Sequence, residues 1–246
     1  MAMWLLSKKQ HSMSYRTTNV GSAKRLEGKV YVITFFVTET SWEQKEKLEL
    51  FKCVRAAESW LEWKASEYGK NIRFVNGVHG LFEPFEVDIV PDYDSGNAQS
   101  DIAKRYLQKA GLPADSSYAE WVKRNSGCDQ SLVFVIANKE GRGYANPLGW
   151  SSDRPEGTVL FHSSRRPLYA GDIIHEFLHL FGAIDLYETD VQSKENAQRM
   201  ESMYPKEVMH ACHYPLTELM ICPLTAWLVG LSDKEEPWFE SFFMRR

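Results

Sequence analysis

A chain of 246 residues with 43% apolar, 13% aromatic and 25% charged residues has the make-up of an ordinary globular protein, which excludes the disordered and collagenous classes. Twenty-nine Lys and Arg against 33 Asp and Glu leave a net charge of -4, removing the broad basic field that a nucleic-acid partner requires. The uncharged apolar stretch near the C-terminus, Leu219 to Ser232, falls short of the roughly 20 residues that cross a bilayer, so it reads as buried protein and no membrane partner is expected.

Met1 to Leu6 is apolar, but Lys8 and Lys9 follow that run instead of preceding it, which is not the order of a secretory signal. Residues Met1 to Glu27 lack periodicity and read as an extended or loosely ordered lead-in. The first strand is the β-branched and aromatic run Val30 to Val37, apolar on both faces as in a central strand. Thr40 with Glu43, or Ser41 with Gln44, offers a capping box. Leu50, Val54, Ala57, Leu61 and Ala65 then mark the buried face of a long helix closed by Gly69. Ile72 to Val75 reads as a second strand and Ser100 to Ala110 as a second helix. A short helix is expected from the box Ser117 and Glu120. Leu132 to Ala137 and Thr158 to Phe161 are two further strands, separated by the turn-rich segment Lys139 to Gly157. The alternation of strand and helix predicts an α/β fold on a mostly parallel sheet.

Pro167 suits the first turn of the next helix, which reads Ile173-Ile174-His175-Glu176-Phe177-Leu178-His179-Leu180-Phe181-Gly182-Ala183-Ile184-Asp185. His175 and His179 are four apart, so on a helix their imidazoles project from one face and can share a tetrahedral metal ion. Glu176 is placed to take a proton from water activated there without itself binding the ion. The apolar residues around them bury the helix, and buried polar groups need a reason to be there. Gly182 can end the helix and turn the chain, and Asp185 follows within reach of the same ion; Glu188 and Asp190 are its rivals as third ligand.

The pattern H-E-x-x-H-x-x-G-x-x-D resembles the extended zinc signature of the metzincin metallopeptidases. Asp185 stands where most members have His, as in the minority subgroup that includes the snapalysins. A His, His, Asp set around one Zn2+ leaves a formal charge of +1, a weaker Lewis acid than a three-histidine site. The resemblance implies a twisted, mostly parallel sheet with an antiparallel edge strand and a long active-site helix. It also implies a small, mainly helical C-terminal subdomain, and so a division into a lead-in 1–27, a sheet and helix subdomain 28–182 and a C-terminal subdomain 183–246. It further implies a methionine-bearing turn beneath the zinc, for which Glu207-Val208-Met209-His210 is preferred to Met203, with a helix over Pro223 to Gly230. Gly143, Tyr144 and Ala145 resemble the edge strand that pairs with an extended peptide; a Gly-rich surface loop is the alternative.

Some members carry a Tyr two residues after the Met. Here that position is Ala211, which leaves Tyr187, Tyr204 and Tyr214 as possible substitutes. His210, Cys212 and His213 lack the spacing of a second metal site and read as cleft wall. Cys53, Cys128, Cys212 and Cys222 are too sparse for a disulfide scaffold, so reduced thiols and a cytoplasmic location are expected. The function implied is zinc-dependent hydrolysis of peptide bonds in a peptide or protein substrate (a metalloendopeptidase), with one Zn2+ and Glu176 as general base. The alternatives are a catalytically silent module with structural zinc and a zinc hydrolase of a non-peptide amide. Sequence preference, internal against terminal cleavage and oligomeric state stay open.

Overall fold

The computed structural model describes residues 21–37, 42–87, 91, 101–147, 155–190 and 192–243. Five strands form one mixed sheet: β1 (Gly28–Val37), β2 (Ile72–His79), β3 (Gln130–Asn138), β4 (Tyr144–Asn146) and β5 (Gly157–His162), in the order β2-β1-β3-β5-β4. All neighbours are parallel except β4, which runs antiparallel to β5 at one edge. The α/β class and the mostly parallel sheet with an antiparallel edge are as expected.

The sheet is buried on both faces, which is why β1 and β3 are apolar almost throughout instead of alternating. On one face lie α1 (Gln44–Glu67), which connects β1 to β2, and the later helix α4 (Ala170–Leu180), packed with Val30, Val32, Leu132, Phe134 and Leu160. On the other lie α2 (Ile102–Lys109) and α3 (Tyr118–Ser126), packed against Ile33, Phe35, Val133, Val135 and Val159. The chain adds β2 on one side of β1 and then returns to add β3 on the other. Crossovers of constant hand must then lie on opposite faces. After α4 come α5 (Lys194–Met203), α6 (Pro223–Leu228) and a 3₁₀ turn at Pro237–Phe242. Val208, Met209, Leu219 and Trp227 from this last stretch share one buried cluster with Phe134, Ile173 and Phe177, so a single core runs through position 182.

Several local expectations need correction. Residues 21–27 are not loose: Ala23 and Leu26 are fully buried, Leu26 N–H donates to Val229 O (2.8 Å), and Ser22 O accepts from Ser131 N–H (2.9 Å). Thr40 and Ser41 lie outside the described residues, and Glu43 stands at the N-cap of α1 without a side-chain cap. Strand β2 runs four residues beyond Val75, because its pairing with β1 continues to Phe35 and His79. The box at Ser117 does not close; the Ser117 hydroxyl and N–H both donate to Asp115 instead. Pro167 precedes α4, whose start is capped by Asp172 accepting from Tyr169 N–H at 2.9 Å. The last helix stops at Leu228. All four cysteines are free thiols, and no described helix is long and apolar enough to cross a membrane.

Candidate metal centre and cleft

Helix α4 buries Ile173, Ile174, Phe177, Leu178 and Leu180 completely, which leaves the polar stripe His175, Glu176 and His179 no freedom to turn away. One helical turn apart, the two histidines bring their Nε2 atoms to 3.2 Å. Gly182 ends the helix with φ +101°, a conformation that side chains with a Cβ rarely adopt, while Ala183 N–H returns to Leu178 O (3.0 Å). The reversed chain carries Asp185 back over the helix, and its Oδ1 lies 3.2 Å from Nε2 of both histidines.

The chemistry of these three atoms calls for a cation. His175 Nδ1 lies 3.0 Å from Val208 O and His179 Nδ1 lies 2.9 Å from Ala183 O. A carbonyl oxygen only accepts, so each Nδ1 carries a proton, and a neutral imidazole then has a lone pair at Nε2. Asp185 Oδ1 is buried and accepts no hydrogen bond despite its two near neighbours. Three lone-pair atoms thus face one another, and a proton or a metal ion must lie among them. Ligands about 2.0 Å from a tetrahedral ion are about 3.3 Å apart, so mutual distances of 3.2 Å match one face of such a site. His175, His179 and Asp185 could therefore hold a metal ion. Glu188 and Asp190 are exposed and outside the group.

Beside this triangle, Glu176 is 8% exposed and its Oε2 has no hydrogen-bond partner; burial pushes its carboxyl up to about 7. The segment before β4 approaches it closely. A Cβ on Gly143 would lie 3.1 Å from Glu176 Oε1 and 2.4 Å from Leu160 Cδ2, so any larger residue there displaces the Leu160 side chain and crowds Glu176. His175, Glu176, Gly143 and Leu160 line a cleft of about 270 Å³ with Arg142 and Tyr187 in its wall. Arg142 Nη2 donates to the Tyr187 hydroxyl (3.2 Å), and the Tyr187 ring stacks on that of His175 at 6.1 Å. Burial and the charge of Asp185 push Tyr187 up to about 12, so it keeps its proton at neutral pH.

Tyr144 and Ala145 form the edge strand β4 with Asn146; Gly143 lies just before it. Val133 N–H donates to Glu156 O, and alternation along β5 turns Gly157 and Val159 toward β4. Ala145, opposite Thr158, therefore directs its own N–H and C=O away from β5, to an edge that no described strand covers.

The remaining sequence candidates separate by position. Met209 is fully buried, its carbonyl accepts from Leu186 N–H (3.0 Å), and the neighbouring Val208 O orients His175; Met203 is 43% exposed at the end of α5. Of the three tyrosines only Tyr187 lines the cleft. Tyr204 stacks on Trp238, and Tyr214 on His213. His210 and Cys212 do line it, with His210 Nδ1 on Leu186 O (3.2 Å) and Cys212 Sγ on Asp172 (3.5 Å), while His213 is engaged with Tyr214. Burial and Asp172 push the Cys212 thiol up to about 12, away from the thiolate that binds metals. Sequence reasoning did not single out Arg142, whose only signal is its place between two glycines.

Comparison with protein-family models finds none that matches the chain, and no curated protein matches it.

Proposed function

We propose that this chain is a zinc metallopeptidase of metzincin-like kind, in which His175, His179 and Asp185 hold the ion and Glu176 is the general base. The observation that carries this reading is the triangle of His175 Nε2, His179 Nε2 and Asp185 Oδ1 at mutual distances of 3.2 Å, with the buried Glu176 carboxyl, whose Oε2 has no hydrogen-bond partner, beside it. Two imidazoles and one carboxylate are a donor set of catalytic zinc, which keeps its fourth position open; a structural site is closed by a fourth protein ligand. Further support comes from buried Met209, which follows the Val208 that bonds His175 and takes Leu186 N–H next to Asp185, and from the antiparallel edge strand beside the cleft.

When bound, zinc supplies Lewis acidity toward water and the substrate carbonyl. The protein's own groups do the rest. Glu176 accepts the proton of the attacking water on Oε2 and delivers it to the departing amine nitrogen. Asp185 and the two histidines are held in place through Leu186, Val208 and Ala183, so the ligands do not reorganise during the reaction. Ala145 offers its outward N–H and C=O to an extended peptide, a contact indifferent to side chains. Tyr187, steadied by Arg142, is the hydroxyl donor available to negative charge building on the substrate oxygen.

Metal analysis of the purified protein, combined with an unbiased peptide-library digest of the parent and of Glu176→Gln, tests the reading. One zinc per chain and cleavage that disappears in the variant are expected. Absence of bound zinc, or equal cleavage by both proteins, counts against it. Zinc without cleavage of any peptide points to a silent module or a different amide substrate.

A further inference from the structure

We infer that Glu207, a buried carboxylate that does not line the cleft, is a positioning residue for the metal centre. The inference rests on reading His175, His179 and Asp185 as metal ligands. Glu207 is fully buried. Its Oε1 accepts from the Thr225 hydroxyl (2.7 Å) and lies 3.5 Å from Met209 N, and its Oε2 accepts from Cys222 N–H (2.5 Å). No basic side chain pairs with it among the described salt bridges. Burying a carboxylate without a cation is costly, and an apolar residue would hold the packing alone more cheaply.

What the carboxylate does is join two pieces of backbone. One is the first turn of α6, through Cys222 and Thr225. The other is the tight turn over residues 207–211, closed by His210 N–H and Ala211 N–H on Glu207 O (3.0 and 2.8 Å). That turn touches the ligand set twice: Val208 O takes the Nδ1–H of His175, and Met209 O takes Leu186 N–H, next to Asp185. Glu207 thus holds the carbonyls that aim two of the three ligands. Groups bonded directly to a ligand typically set metal affinity by about 10–100-fold, and Glu207 acts one step behind them.

The test is zinc affinity, by competition with a chromophoric chelator, together with the visible spectrum of the Co2+-loaded protein. The proteins are the parent, Glu207→Gln and Thr225→Val, with Phe239→Leu, whose side chain packs on Trp227, as a control for general loss of stability. Glu207→Gln is expected to lose up to about 10-fold in zinc affinity, the low end for direct partners of the ligands, and to change the Co2+ spectrum. Thr225→Val should lose several-fold, while Phe239→Leu binds as the parent does. If Glu207→Gln does not fold, Thr225→Val decides. Parent-like affinity and spectrum in the folded variants, or losses matched by the control, overturn the positioning role and leave the metal site standing. A parent that binds no divalent ion overturns both.

Discussion

Replacing Asp185 by alanine tests the centre most directly. Zinc at a hundredfold excess over its dissociation constant stabilises the parent by about 2.7 kcal/mol. For a chain of this size each kcal/mol moves the melting temperature by about 2–4 °C, so the zinc-dependent rise is about 5–11 °C. Asp185 supplies one of three donor atoms, at 3.2 Å from both imidazoles, and the variant should lose most of that rise. Its apo form should melt close to the apo parent, because the loop is held by backbone contacts that the substitution leaves alone: Gln192 Nε2 on Asp185 O (3.3 Å) and Leu186 N–H on Met209 O (3.0 Å). Differential scanning calorimetry with and without zinc, run beside His179→Ala, reads both effects. A zinc-dependent rise in Asp185→Ala equal to that of the parent would refute its role as a ligand.

Glu176→Gln should keep the zinc-dependent melting shift and lose about 100-fold or more in peptide turnover, measured at saturating substrate; retained turnover removes Glu176 as the base. Ala145→Pro removes one N–H from the outward edge of β4, so cleavage efficiency on several unrelated peptides should fall while zinc content stays at parent level. Unaltered kinetics leave the edge without a substrate role. Glu58 is 1% exposed, and burial raises its carboxyl from 4.5 to about 7 despite Asn76 and Arg55 beside it. The native state then binds more protons than the unfolded chain between those values, so stability falls as pH rises through pH 4.5–7, by up to about 3 kcal/mol. Urea unfolding at pH 5 and pH 8 should show a fall in the parent that is smaller by roughly this amount in Glu58→Gln, the remainder coming from other buried acids such as Glu176; equal falls contradict the assignment.

Much of the fold and the heart of the site were legible in the residue order, because both rest on short periods. Strands buried on both faces are apolar without interruption, as Val30–Val37 and Leu132–Ala137 are, and one turn of helix suffices to put His175 and His179 side by side. Gly182 announced the reversal that returns Asp185. Contacts made across long separations left no such trace. The choice of Tyr187 over Tyr204 and Tyr214 depends on Arg142 arriving from before β4, and the place of Met209 over Met203 depends on Val208 meeting His175. The burial of Ala23 and Leu26 needs Val229, at the far end of the chain. Local pattern determines which residues can share a helix face or a strand face. Only closure of the tertiary structure decides which of several equivalent side chains meets a given partner, since that choice is made by the packing of distant segments and not by their spacing.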